Sequence, residues 1–381
     1  MVWLMAAATG LIVANLYYAQ PLVGPISRAT GLDAAAAGLI VTLTQIGYCL
    51  GMLFIVPLGD LFENRRMIVA ALGVSALALT AAAFSTSAAV FLAACFCIGL
   101  GSTAAQIIVP FAAHLSRPET RGKTVGTVVS GLLLGIMLAR PLSSLVTDAL
   151  GWHAIFVMSA IWTAALALLL NSRLPLREPD HTSTYGALLR SMWQLLKTTP
   201  ILRRRAAYQF CMFGSFSLFW TTVPLVLASD TFGLTQKGIA LFALAGVAGA
   251  IVSPIAGRRA DQGKSRSTTA MALTAGVLSF AAPLLVQGDR LFGLGLMVVV
   301  SIVLDAAVSG SLVVGQRAIY SLGADVRSRL NGLYMSIFFM GGALGSMLGG
   351  WMYAHHGWHG VLLTGLVFPA MGLALFLTEK R

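Results

Sequence analysis

Arg121, Gly126, Ser130, Gly135 and the run Gly151-Trp152-His153 recur 206 positions later as Arg327, Gly332, Ser336, Gly341 and Gly357-Trp358-His359. Each block opens on a basic loop, crosses two long apolar segments and marks the turn between them with Gly-Trp-His. A half-length repeat in so apolar a chain implies two similar membrane bundles facing one another. That arrangement gives a single site two alternating entrances. The repeat therefore points to transport.

The composition around the repeat names the solvent. Of 381 residues 57% are hydrophobic and only 10% charged, and the mean hydropathy is +0.85. A soluble domain carries about a quarter of its residues charged. Twelve apolar runs are long enough to cross ~30 Å of hydrocarbon. They lie at about 2–27, 34–60, 66–85, 89–115, 123–148, 152–171, 206–229, 236–257, 268–287, 291–320, 329–354 and 358–378. These runs are continuously apolar, which excludes the alternating strands of a membrane barrel. The expected fold is an all-α membrane protein with twelve transmembrane helices in two pseudo-symmetric six-helix bundles.

One segment, 172–205, breaks the pattern and separates an N-terminal bundle (1–171) from a C-terminal one (206–381). Within this linker Tyr185, Leu188, Leu189, Met192 and Leu196 repeat at helical spacing. The stripe predicts an amphipathic helix on the inner membrane face, with Arg203 to Arg205 meeting lipid head groups.

The net charge of +12 invites a nucleic-acid reading, but its distribution rejects one. With both termini on one side, 21 of the 25 Lys and Arg residues fall in one set of loops and three in the other. Arg140 remains, inside a span. This is the positive-inside bias, so both termini of a multi-pass membrane protein are expected in the cytoplasm. Cys49, Cys95, Cys97 and Cys211 lie in apolar spans and support neither a disulfide framework nor a metal site. His355, His356 and His359 flank the second Gly-Trp turn and read as an interfacial corner. No phosphate-cradling Gly-rich loop is present, so no nucleotide drive and no cofactor are expected.

Two loops carry the motif chemistry. The first is Pro57-Leu58-Gly59-Asp60-Leu61-Phe62-Glu63-Asn64-Arg65-Arg66, and the second is Gly257-Arg258-Arg259-Ala260-Asp261-Gln262-Gly263-Lys264. In each, an acid closes one helix and bases open the next. A carboxylate there can accept from a neighbouring helix N-terminus and pair with Arg. Asp60, Arg65, Arg66, Arg121, Arg258, Asp261 and Arg327 are accordingly candidate latch residues, the plainer reading being a tight turn with solvated charges. With Pro118-Glu119-Thr120-Arg121-Gly122-Lys123, these loops resemble the major facilitator superfamily of secondary transporters. Asn15-Leu16-Tyr17-Tyr18-Ala19-Gln20-Pro21 brings the likeness nearest to the bacterial drug/proton antiporter branch. The resemblance spans essentially the whole chain. It implies a monomeric antiporter that exports a small molecule against protons.

Two of that branch's motifs are altered. Its fourth-span Arg is replaced in Cys95-Phe96-Cys97-Ile98-Gly99, and its fifth-span Gly-Pro signature survives only in part around Ala139-Arg140-Pro141. The branch's fourth-span base thus lacks a counterpart, and its fifth-span signature is incomplete. What the chain offers in their place is Asp305, the one acid deep in a span, and Arg140, the one deep base. A charge at the bilayer centre costs at least ~2.5–3.5 kcal/mol on insertion scales, so both should face the bundle interior. Asp305 is the candidate proton carrier and Arg140 a candidate substrate or gating group, or the two form a structural pair. The resemblance places the first, fourth, seventh and tenth spans around the cavity. Asn15, Tyr18, Gln106, Phe213, Phe216 and Trp220 are then its candidate lining, suited to amphipathic or aromatic solutes. An intramembrane enzyme would want paired carboxylates or a deep His, and neither is found.

Overall fold

The computed structural model describes residues 1–117, 120–176, 184–285, 289–323 and 326–379. Among the described residues every regular element is helical. In chain order they are α1 (Val2–Ala14), α2 (Val23–Thr30), α3 (Leu39–Leu50), α4 (Asn64–Phe84), α5 (Ala88–Ser102), α6 (Ala104–His114), α7 (Arg121–Leu150) and α8 (Trp152–Arg173). The linker helix α9 (Tyr185–Thr198) follows. The second half holds α10 (Pro200–Ala228), α11 (Gln236–Ala243), α12 (Ala248–Asp261), α13 (Ser265–Leu285), α14 (Arg290–Tyr320) and α15 (Arg327–Leu377).

Among the described residues nine helical runs are long and apolar enough to cross a membrane. One of them, α15, is two crossings, because Gly357 interrupts it with φ 61° and ψ −160°. Two more crossings are built from pieces: α1 and α2 form the first, α11 and α12 the eighth. These make up the twelve spans. The outer surface is apolar, with Leu77, Phe84, Leu168 and Leu285 standing almost fully open. That is the inverse of a water-soluble surface and is what lipid requires.

The repeat has a structural reason at most of its positions. Gly151 and Gly357 both sit at positive φ (83° and 61°), a conformation that disfavours any side chain. Beside the first turn, Trp152 packs edge-on against Phe91 and Phe156, and His153 Nδ1 lies 2.6 Å from the Ala83 carbonyl oxygen. Ser130 Oγ donates to the Gly126 carbonyl at 2.8 Å, and Ser336 Oγ donates to that of Gly332 at 2.7 Å. A Cβ at Gly135 would stand against the Gly10 carbonyl of α1, and one at Gly341 against the Phe210 carbonyl of α10. Each long helix thus touches the first helix of its own bundle backbone to backbone, as small residues permit in lipid.

The two bundles meet most closely away from the linker. At that far side Gly38 lies on Ser346 and Gly350, and Thr42 Oγ1 donates to the Ala343 carbonyl at 3.0 Å. The Lys237 amide donates to Asp148 Oδ1 at 3.2 Å. Nearer mid-depth, Gln45 Nε2 donates to Ser217 Oγ at 2.8 Å, and that hydroxyl shares a 2.7 Å bond with Ser346 Oγ. On the linker side α9 covers the seam: Tyr185 donates to the Phe54 carbonyl, and Arg329 Nη1 donates to Ser191 Oγ at 2.8 Å. The helix expected at Tyr185 to Leu196 is present, with Leu188 and Met192 buried.

Candidate functional site: a buried arginine and aspartate between the bundles

The first and eighth spans both lose their regular winding beside the same pair of charges. The first span leaves α geometry at Asn15 and resumes at Val23. Pro21 has no N–H to donate to the Tyr17 carbonyl, and the preceding turns tighten: Asn15, Leu16 and Tyr17 all donate to the carbonyl three residues back. The eighth span passes through a 3-10 turn at Leu244–Val247. Irregular backbone at membrane depth is tolerated where it is buried in protein or lines a cavity. In transporters, such breaks surround the bound solute.

Arg140 on α7 and Asp305 on α14 stand between these breaks, 4% and 5% exposed. Arg140 Nε donates to Gln20 Oε1 at 2.8 Å, and the Trp220 indole N–H donates to Asp305 Oδ1 at 2.7 Å. Three rings surround the guanidinium: Trp220 at 4.4 Å, Phe216 at 4.9 Å and Tyr17 at 5.3 Å from its central carbon. Such contacts stabilise a desolvated cation by ~2 kcal/mol or more. The Cβ position of Gly246 lies 2.6 Å from Asp305 Oδ2, 3.1 Å from the Trp220 ring and 3.6 Å from Arg140 Nη1. The bare backbone at Gly246 is what lets the two charges face each other. Among the described residues they do not close to a 4.0 Å ion pair. A charge from each bundle, brought close at the seam among aromatic rings, can pass a proton or offer a polar group to a solute.

The structure distributes the sequence candidates unevenly. Arg140, Asp305, Phe216 and Trp220 come together in one cluster. Phe213 is buried next to it, stacked on Phe216 and Phe338, and not turned to lipid. Gln106 Nε2 donates to the Tyr48 hydroxyl at 2.8 Å, on the seam but outside the cluster. Asn15 faces α8, where it accepts from Ser159 and donates to Thr163 at 3.4 Å, inside its own bundle. Tyr18 is buried as well. Tyr17, Gln20 and Gly246 complete the cluster and were missed by sequence reasoning. The signal for Gln20 lay in the residue after it: Pro21 announces the break that re-aims this stretch.

The latch candidates occupy the linker side. Glu63 caps α4 by accepting from the Arg65 and Arg66 amides at 2.9 Å each, and Asn64 Nδ2 donates to the Gly59 carbonyl. Arg65 Nη1 donates to the Leu174 carbonyl at 3.2 Å, while Arg66 lies 4.0 Å from Glu63. Asp60 lines a cleft with Met192, Arg329 and Gly332, where the two bundles and α9 meet. Asp261 pairs with Arg317, a contact within the second bundle. Arg258 is exposed. Arg327 donates to the Tyr320 carbonyl and lies over that ring. The Arg121 side chain and the Pro118-Glu119 pair lie outside the described residues.

Comparison with known proteins agrees with this architecture. The chain is 40% identical over 373 residues to the uncharacterized transporter YgaY of Escherichia coli, covering 98% of this chain and 94% of that one. It is 31% identical over 371 residues to a probable transporter of Streptomyces coelicolor, covering 97% and 85%. The fold superposes on a bacterial homologue of the human lysosomal transporter Spinster, in an inward-facing and occupied conformation. The TM-score is 0.79 at 13% identity, with 99% of this chain and 95% of that one covered. Residues 2–319 match the Major Facilitator Superfamily, and the chain belongs to that family of membrane transporters.

Proposed function

We propose that this protein is a proton-coupled exporter of a small amphipathic or aromatic solute, working as a monomer in the bacterial inner membrane with both termini cytoplasmic. The observation that carries the reading is the Arg140–Asp305 pair, each charge bonded within its own bundle, by Gln20 and by Trp220, and the two facing one another at the seam among aromatic side chains. A charge on each bundle links solute binding and protonation to the relative position of the bundles. A ligand shifts a two-state equilibrium only through different affinities for the two states, and a carboxylate facing a guanidinium supplies that difference. Asp305 is the titrating group. Asp60, Arg65, Arg66, Arg121, Arg258, Asp261 and Arg327 are the residues that re-pair as the linker side closes.

The test is reconstitution into proteoliposomes with an internal pH dye, using solutes selected by a thermal-shift screen at two pH values. Wild type should move protons with solute and concentrate solute under an imposed pH gradient. Asp305→Asn should abolish concentration while leaving solute exchange. An Asn variant that concentrates solute as well as wild type removes Asp305 from coupling.

A second reading, uptake or facilitated diffusion of a small anionic metabolite, is favoured by the Arg140 Nη2 group, which is buried with no hydrogen-bond partner among the described residues. The direction of net flux in the same vesicles separates the two, and Arg140→Gln should then lose selectivity for anions.

A further inference from the structure

Gln20 and Arg140 share a feature that neither proton transfer nor packing uses. Arg140 Nε donates to Gln20 Oε1, which satisfies one prong of the guanidinium and the amide oxygen. Two donors are left over, Arg140 Nη2 and Gln20 Nε2, both buried and both without a partner among the described residues. The parent side chains are 4% and 1% exposed. Guanidinium Nε and Nη2 share one edge, the edge that clasps a carboxylate in a two-pronged fork. Here one oxygen, from Gln20, occupies half of that edge, and the amide that supplies it adds a donor of its own. A structural pairing would need only the bond already made. Leaving two donors unmet on a bonded pair of side chains is unfavourable in a low-dielectric setting, and a two-oxygen acceptor group is the kind of partner that can meet both.

We propose that Gln20 and Arg140 together form a binding site for a carboxylate group on the transported solute, with the flat body of the solute lying among Tyr17, Phe216 and Trp220. The inference rests on the reading in which Arg140 contacts the solute, and it adds Gln20 as a second recognition residue. Charge placement supports an acid over an amine. The Nη2 and Nε2 donors lie on the Gln20 side of the guanidinium, whereas Nη1 is the group near Gly246 and Asp305. An acceptor bound by Gln20 therefore does not have to displace the Asp305 carboxylate. The broken first span suits this role, because its 3-10 turn at Gln20–Leu22 is what aims the amide at α7.

Equilibrium binding of benzoate, benzamide and benzylamine to the purified full chain in nanodiscs tests the proposal. The three probes share a ring and differ in the polar group. Benzoate should bind wild type at least about tenfold more tightly than either of the others, the difference a charge-assisted bond supports. Gln20→Leu should lower that benzoate preference by about tenfold while benzamide binding stays within a factor of two. Gln20→Glu, which places a carboxylate against the incoming one, should abolish benzoate binding. A merely structural Gln20 would weaken all three probes alike, so the ratio is the decisive reading, and thermal melts identify any variant that fails to fold. For such a variant the wild-type preference alone decides. Benzylamine bound in preference to benzoate overturns the carboxylate site yet leaves a solute site at the seam. Binding of none of the three overturns both the site and the aromatic-solute reading.

Discussion

Gly246 is the smallest part of the central cluster and controls the distance between its charges. Any side chain there meets Asp305 Oδ2 at 2.6 Å and the Trp220 ring at 3.1 Å. Asp305 has little freedom to yield because Trp220 holds its other oxygen. We predict that Gly246→Ala lowers transport in proteoliposomes at least about tenfold, the scale expected when a group is displaced by an ångström from a working geometry. Its size-exclusion profile should remain that of wild type. Unchanged transport in Gly246→Ala would show that the gap between the charges is not the working space. At this scale the sequence disclosed the charges and concealed their company. Asp305 and Arg140 stood out because an ion in hydrocarbon is costly and so carries a reason for being there. Glycine, glutamine and tyrosine carry no such penalty at a packed seam. Tyr17 and Tyr18 are indistinguishable until the local winding is known, and the structure turns only Tyr17 to Arg140.

That winding belongs to the element scale. A regular helix through residues 2–27 would carry Asn15 and Tyr18 on one face, one turn apart, and the choice of both as cavity lining rests on that regularity. Five residues of turn followed by a 3-10 segment remove the register, so Asn15 is spent on Ser159 and Thr163 and Gln20 reaches Arg140. Where the helices stay regular, the sequence is read more directly. The bare face that meets α1 is made by Gly131 and Gly135, four residues apart, whereas Gly126 and Ser130 stand on the opposite side of the same helix. The repeat therefore makes a graded prediction within a single helix. Gly135→Val drives side-chain atoms into the Gly10 backbone and should destabilise the fold by ~1–3 kcal/mol or more. Gly126→Ala has nothing within 4 Å to meet and should leave stability unchanged or raise it by up to ~1 kcal/mol. Thermal melts of the two variants in one detergent provide the comparison. A Gly135→Val protein that melts with wild type would mean that α1 and α7 pack less tightly than their backbones indicate.

At the scale of the whole molecule, the bundles touch along most of the seam through α3 and α15, whereas α7 reaches α11 chiefly at the far side. The Thr42 bond to Ala343, the Lys237 amide bond to Asp148 and the close approach of Gly38 to Gly350 hold that side together. On the linker side Asp261 pairs with Arg317 inside the second bundle. An alternating-access cycle must open the far side and re-pair the charges of the linker side. The sequence announced two bundles through the repeat, but not which end is closed, since two packings of one chain differ by only a few kcal/mol. Asp148 and Lys237 offer a direct check, because they are exposed, belong to opposite bundles and meet at the far side. Asp148→Cys with Lys237→Cys, joined by a short thiol-reactive cross-linker, should hold the far side closed. Net transport should then fall at least about tenfold, the bound that trapping more than nine-tenths of the molecules in one state imposes. Reductive cleavage of the cross-link should restore it, and each single Cys variant under the same treatment should stay near wild type, since the four native cysteines lie in the spans. Transport that survives complete cross-linking would mean that the solute crosses without the two bundles parting at this contact, and the rocking mechanism would have to be abandoned for this protein.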